Sequence, residues 1–395
     1  SNNTAVGGCS LFANLTGTEN VAVGKSSLLA NTTGNSNTSV GCGSLDANTT
    51  SSNNVAIGYE SLGANITGAD NTAVGTNSLV KNTTGTDNSA FGKCSLACNT
   101  TAAANTAFGY NSLCANTTGG SNTAIGHSAL KSNTTVGGNT AIGDDAIRTN
   151  TTGSSLVGIG QNAMYANTTG CQNVAIGHSS LESNTTGCSH VAIGHLALSS
   201  NTTGTFNTAI GKQAGDVTTT GSNNIMIGKG SDADASGTNN VIAMGENVVS
   251  INNAVTFGNG GTDSRIAFGA TSITAPSDQR LKEDIQEDTA GLSFINDLRP
   301  VTYKWRQEKD IPEEMRTHVA GSTKRYNNDK VNHGFIAQEV KEAIDKHPEL
   351  KDGFDMWTEE STLDGRQRIA EDALVPMLVK AIQELKARIE ELENN

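Results

Sequence analysis

Asn71-Thr72-Ala73-Val74-Gly75, followed by Leu79, Asn82, Thr83, Thr84 and Gly85, is one unit of a pattern that fills the first 245 positions of this 395-residue chain. Its glycine returns without a slip at Gly7, Gly24, Gly41, Gly58, Gly75, Gly92, Gly109, Gly126, Gly143, Gly160, Gly177, Gly194, Gly211, Gly228 and Gly245. The fixed interval, that from Gly7 to Gly24, marks a stacked repeat, in which a unit cannot bury its apolar face until the next unit covers it. Each unit holds one short strand. The Val or Ile before the glycine and the Leu four positions after it (Leu11, Leu28, Leu45, Leu62, Leu79, Leu96) are expected to form one buried apolar pair per coil. The glycine is expected at a corner, where positive φ or close backbone approach excludes a Cβ.

Asparagine recurs in step, at Asn14, Asn31, Asn48, Asn65, Asn82, Asn99, Asn116, Asn133, Asn150, Asn167, Asn184 and Asn201. Stacked amides hydrogen-bond from one coil to the next, so these positions predict a ladder, with Thr at strand and turn edges. Fifteen coils at about 4.8 Å each would make a rod of roughly 70 Å. The same spacing generates many Asn-x-Thr sequons and ranks of Thr. Both are read as by-products of the ladder rather than as glycosylation sites or an ice-binding face.

Composition agrees with a thin stacked core: 35% of residues are apolar, only 4% are aromatic, and there are 44 glycines, too little apolar matter for a large globular interior. Charge is uneven. Residues 1–276 hold 21 charged side chains, whereas the last 119 residues hold 44 together with Trp305 and Trp357, which places a boundary near Ser277. A net charge of -13 without basic clusters argues against a nucleic-acid partner. Seven cysteines lie in the first half (Cys9, Cys42, Cys94, Cys98, Cys114, Cys171, Cys188) without a paired C-x-x-C, so neither zinc nor any other metal or cofactor is expected. Cys171 and Cys188 stand one repeat apart, within reach of each other, and are read as small apolar side chains; no disulfide is assigned. No apolar run of eighteen residues and no signal peptide appears, so membrane insertion is not expected. The chain opens inside a repeat at Ser1, and an attachment region is expected upstream.

Beyond Gly245 the period breaks. Gly258 and Gly269 follow at shortened intervals, and 246–276 reads as a cap and neck, since the end of a solenoid must close an exposed edge. In the last 119 residues Val301-Thr302-Tyr303-Lys304-Trp305 reads as a strand, and Phe335, Ile336, Val340 and Ile344 trace an amphipathic helix. Leu378, Ile382, Leu385, Ile389 and Leu392 step by four and three, the spacing of a coiled-coil seam, with Glu384 and Arg388 expected on its solvent face.

The repeat resembles the head of trimeric autotransporter adhesins, built from Asn-x-Ala-Ile-Gly units, over residues 3–245, although the period there is shorter. The resemblance implies a left-handed β-roll in three parallel chains. On that reading the small Ala22, Ala56, Ala73, Ala124 and Ala141 are expected where the chains touch. The C-terminal part resembles the intramolecular chaperone domain of phage endosialidases, tailspikes and tail fibres, through Ser277-Asp278-Gln279-Arg280-Leu281-Lys282, His333-Gly334-Phe335-Ile336-Ala337-Gln338-Glu339-Val340, and Leu374 to Leu385. That likeness implies a domain that trimerises, guides folding of a β-fibre and then cuts itself off. It implies Ser277 as nucleophile and Lys282 as base. Because Ser277 can attack the carbonyl before it, the Pro276–Ser277 peptide is the expected scissile bond, with the neighbouring bond as the alternative, and Asp278 and Arg280 are read as supporting residues. His333, Gln338 and Glu339 are read as structural.

The expected architecture is therefore mainly β: a trimeric β-roll or β-solenoid of 17-residue repeats over 1–245, a cap and neck over 246–276, and an α+β chaperone domain over 277–395 ending in a coiled-coil helix. The expected function is that of a virion fibre or tailspike segment, a homotrimer acting as a single-turnover self-cleaving serine endopeptidase and meeting a host receptor or glycan. A trimeric cell-surface adhesin with the same chaperone, or a fibre that is never cut, are the alternatives. A polysaccharide-cleaving spike needs paired carboxylates; Asp144-Asp145, the adjacent acidic pair in the coils, is read as solvated surface.

Overall fold

A computed structural model describes residues 2–270, 279, 282–313, 315, 317–350, 356–360 and 366–394. The chain falls into two compact units, Ser1–Ser277 and Asp278–Asn395.

The first unit is a β-solenoid. Among the described residues, fourteen three-residue strands follow one another at a constant interval, from Thr4–Val6 to Ile225–Ile227. Each pairs in parallel with the next in strict register, as Thr72, Ala73 and Val74 do with Ser89, Ala90 and Phe91. The ladder continues through Val241–Gly245 to Ala254–Gly258, where the step shortens so that Val241 already faces Ala254. It ends when Ser264–Ala267 pairs antiparallel with Ala254–Gly258, covering the edge that an open solenoid would leave to other chains.

Gly75 shows why the period tolerates no slip at its glycine. Its φ is +136°, and a Cβ there would lie 2.5 Å from the carbonyl oxygen of Gly92 in the next coil. The chain also turns at residues that sequence does not advertise. Asp70, Asn77 and Leu79 all take left-handed φ values of 49° to 59°, and their counterparts repeat this along the shaft. Such a conformation costs a leucine roughly 1–2 kcal/mol. Full burial of its side chain, worth about 2 kcal/mol, offsets that cost at Leu28, Leu45, Leu62, Leu79 and Leu96.

The coil interior differs from the expectation on one point. Leu28, Leu45, Leu62, Leu79 and Leu96 are fully buried, but their partners are Ala22, Ala56, Ala73 and Ala90, also fully buried within the same chain. The strand is three residues long, so only its middle side chain points inward. Val and Ile before each glycine therefore face out, and the alanines are not available for contact between chains. Volumes are matched locally where the pattern changes. At one coil Gly215 replaces the leucine and Met226 the alanine, and a Cβ on Gly215 would meet Met226 Cε at 2.8 Å. At another, Gly158 stands in place of alanine, because a Cβ there would lie 2.6 Å from Ile147 Cγ1.

The predicted amide ladder is present: Asn31 Nδ2 donates to Asn14 Oδ1 at 2.9 Å, and Asn99 Nδ2 to Asn82 Oδ1 at 2.8 Å. A second ladder runs beside it. Asn37 and Asn54 each donate a backbone N–H, at 3.0 Å, to the side-chain oxygen of the asparagine one coil before. With Asn31, Asn48 and Asn82 wholly buried and their amides bonded, these sequons cannot carry a glycan in the folded shaft.

His190 interrupts the second ladder. It is buried, and its Nδ1 accepts the Asn207 N–H at 3.2 Å. Burial pushes its pKa down to about 4. An unfolded histidine titrates near 6.5, so between about pH 6.5 and 4 the unfolded chain binds the extra proton and stability falls as pH falls. The loss reaches roughly 3 kcal/mol per chain at the acid end. An amide there would donate to the Gly204 carbonyl, as Asn173 Nδ2 does to Gly187 and Asn207 Nδ2 to Gly221, each at 2.8 Å. In urea titrations of the shaft at pH 7 and pH 4.5, His190→Asn is expected to remove most of the acid sensitivity. An unchanged pH dependence would show that the destabilising proton binds elsewhere.

The second unit is α+β. Its core gathers Ala290, Phe294, Val340, Ala343, Ile344, Leu350, Met356, Leu374 and Met377. Helix α1 spans Leu292–Asp297, α2 Ala337–Lys346 and α3 Leu374–Glu393. Val301–Tyr303 pairs antiparallel with Asn332–Gly334, and Trp357–Glu360 with Arg366–Ile369. Phe335 and Ile336 precede α2 instead of opening it, because the chain leaves the strand still extended, with Ile336 at φ -94°, ψ 121°. Glu384 does not serve the outer face of α3 as expected. Its carboxylate accepts the Leu292 N–H at 2.9 Å, satisfying an orphan donor at the start of α1.

Candidate self-cleavage site and its surroundings

The segment expected to carry the chemistry joins the two units. Pro276, Ser277, Asp278 and Arg280 lie outside the described residues. Lys282 is described: it is exposed, and its backbone N–H donates to the Gln279 carbonyl at 3.1 Å.

Residues from the second recognisable stretch have structural partners. Glu339 takes Arg299 Nε at 3.0 Å in a two-pronged pair. The arginine's hydrogen bond holds the Glu339 carboxyl below its usual range. His333 sits opposite Thr302 in the strand pair. Gln338 lines a cavity of about 650 Å³ walled by Tyr303, Trp305, Ile311, Phe335 and Ile369, in which Trp305 Nε1 is a buried donor without a partner among the described residues.

His347 was not singled out by sequence. It lies buried edge-on to Phe294, with Nε2 2.9 Å from Asp297 and Nδ1 3.1 Å from Glu349. Burial works against its charge, but the two carboxylates outweigh it and lift its pKa above the ordinary value. The bridge ties α1 to the segment after α2. Asp297 and His347 are far apart along the chain, so no local spacing announces it.

The long seam of α3 is uncovered in the single chain. Leu374, Met377 and Ala381 face the domain core, whereas Leu378, Ile382, Leu385, Ile389 and Leu392 are between 43% and 78% exposed. In the shaft, the side chains just before each glycine form a second apolar line: Val6, Val23, Val40, Ile57 and so on, unbroken to Met244 and Phe257. Ile57, Phe108, Ile125, Ile176, Ile193, Ile210 and Ile227 are each 36–40% exposed, and Phe91 stacks on Phe108 with ring centroids 4.4 Å apart.

Among the described residues, one group has donor atoms convergent enough to hold a metal ion: His127, Asp144 and Asp145, within 4.8 Å of one another. His127 Nδ1 already sits 2.9 Å from Asp144, and Arg148 pairs with Asp145 at 3.1 Å. These carboxylates are engaged by basic side chains rather than poised as an acid and nucleophile. Among the described residues no helix is long and apolar enough to cross a membrane.

Residues 277–348 match the family model described as chaperone of endosialidase. No curated protein matches the chain, and no solved structure does.

Proposed function

We propose, from a segment of the chaperone of endosialidase family placed directly after a β-solenoid, that the chain is a virion fibre whose C-terminal domain assembles it as a parallel homotrimer and then releases itself. The observation that carries the reading is that each unit leaves an apolar line uncovered when the chain stands alone. Sixteen shaft side chains, each exposing on the order of 60 Å², amount to roughly 1,000 Å² per chain, the size of a stable interface and beyond what a lone soluble chain normally exposes. No charged or polar residue breaks that line in sixteen coils. The seam of α3 has the spacing of a helix that pairs with copies of itself.

A chaperone has a physical use here. Identical coils fit one another at any whole number of repeats, so three chains can align out of register and remain trapped. A domain that trimerises first fixes the register, and its removal leaves a fibre held by a high unfolding barrier. In the proposed cut, the Ser277 hydroxyl attacks the Pro276 carbonyl while Lys282 takes its proton; the Pro276–Ser277 C–N bond breaks as that proton passes to the freed Ser277 amine, and water hydrolyses the resulting ester to leave a Pro276 carboxylate. A lysine acts as a base only when burial or nearby cations lower its pKa. Lys282 is exposed in the single chain, so the burial would come from assembly, and cleavage would follow trimerisation.

The test is to produce residues 1–276 without 277–395. The account expects aggregated or misregistered chains, where the full chain gives a fibre that runs as a trimer on unboiled detergent gels. A truncated chain that reached the same resistant trimer unaided would remove the chaperone role.

A further inference from the structure

Cys171 and Cys188 occupy one column of the solenoid, directly after the glycine that ends each Asn-Thr-Thr-Gly turn. Elsewhere this column holds small residues (Thr, Ser, Asn, Ala or Gly), and polar ones accept the backbone N–H of the coil before: Thr18 N–H donates to Asn35 Oδ1 at 2.8 Å, and Thr205 N–H to Ser222 Oγ at 3.0 Å. Here the acceptor is sulfur, with Cys171 N–H on Cys188 Sγ at 3.0 Å. The two sulfurs are 2.7 Å apart. Both cysteines carry free thiols and are half-exposed. Adjacent parallel strands stand about 4.8 Å apart, inside the Cα separation of roughly 4.4–6.8 Å that a disulfide requires. Coil stacking thus holds the pair in bonding geometry before any bond exists.

We infer that Cys171 and Cys188 are an inter-coil dithiol that closes into a disulfide on meeting a low-molecular-weight disulfide such as oxidised glutathione. The two sulfurs are not equivalent. Cys188 Sγ accepts the Cys171 N–H, and the hydrogen bond to Cys188 pushes the Cys171 thiol up, which leaves Cys188 as the first attacker. Cys188 attacks the external disulfide, forms a mixed disulfide and expels one small thiol. Cys171 then loses its proton to water and attacks the Cys188 sulfur, expelling the second. The protein thiols give up two electrons and two protons in all, and the external disulfide leaves as two thiols. The product is a covalent ring one coil long that stops those two coils from peeling apart.

Folded full-length protein is incubated with oxidised glutathione, excess thiol is blocked, and the chain is cut after Glu182, the one acidic residue between the two cysteines. The peptides holding Cys171 and Cys188 are expected to stay joined until reductant is added, lighter by two hydrogens than their sum as free thiols. Cys171→Ser and Cys188→Ser should each abolish the joined species, and serine already fills this column at Ser52, Ser154 and Ser222, so folding is retained. Peptides that separate without reductant, while exposed Cys9 has taken up glutathione, overturn the inference. So does a bond from either cysteine to another chain, seen as a larger band on a non-reducing gel.

Discussion

Ser277→Ala is expected to leave the 119-residue C-terminal fragment attached in every molecule, and Lys282→Ala to do the same, while both variants still assemble. The alanine removes the only atom that attacks the Pro276 carbonyl in the proposed mechanism, so the effect is a loss of the reaction rather than a slowing. A serine hydroxyl is inert at neutral pH without a base, so removing Lys282 is expected to abolish the cut as well. Lys282→Arg separates the roles, since arginine keeps the charge but does not give up its proton. It should be as inactive as the alanine variant. Asp278 and Arg280 are expected to matter less, each altering the rate without abolishing the cut. Cleavage at the ordinary rate in either alanine variant would dismiss the Ser–Lys pair. Failure of both to assemble would make 277–282 a folding element first.

The second large effect concerns the outward line of the shaft. Ile125→Asp together with Ile142→Asp should break the trimer while leaving the coils folded. In the single chain both side chains are only half-covered, so carboxylates there stay hydrated and cost little. Between three chains the same change places six like charges in a desolvated seam, with a penalty of several kcal/mol per chain. Far-UV circular dichroism should keep its β signal while the shaft, once released from 277–395, falls to the mass of one chain. Ala73→Asp provides the contrast: Ala73 is fully buried inside its own coil, so that charge should unfold the coil itself. If the aspartates on the outer line left the trimer intact, the interface would lie elsewhere.

Much of the fold is legible in the chain because a solenoid converts sequence period directly into spatial neighbours. Gly75 and Leu79 could be placed from spacing alone, and so could the Asn14 ladder. What spacing does not decide is the side of a strand three residues long. Ala73 and Val74 are adjacent, so one must face in and the other out. The smallness of alanine suits a tight contact in either direction, and the left-handed turn at Leu79 that narrows the coil and selects alanine has no local signal. The exchange of Gly215 with Met226 is likewise visible only once the coils are stacked. In the second unit, α3 and its seam follow from periodicity. The Glu384 cap on Leu292 and the His347 bridge to Asp297 join residues 92 and 50 positions apart, beyond any pattern along the chain. The candidate cleavage pair stands differently again: Ser277 and Lys282 are named by a motif, and their roles rest on the variants above.

The most direct test of the whole account is the mass in solution of the uncleaved chain, made as Ser277→Ala and measured by light scattering at micromolar concentration. The account predicts a particle of three chains, each of 40.7 kDa, and the same value across a tenfold dilution. A mass of one chain would contradict it, because both apolar lines would then be exposed to water in a stable monomer.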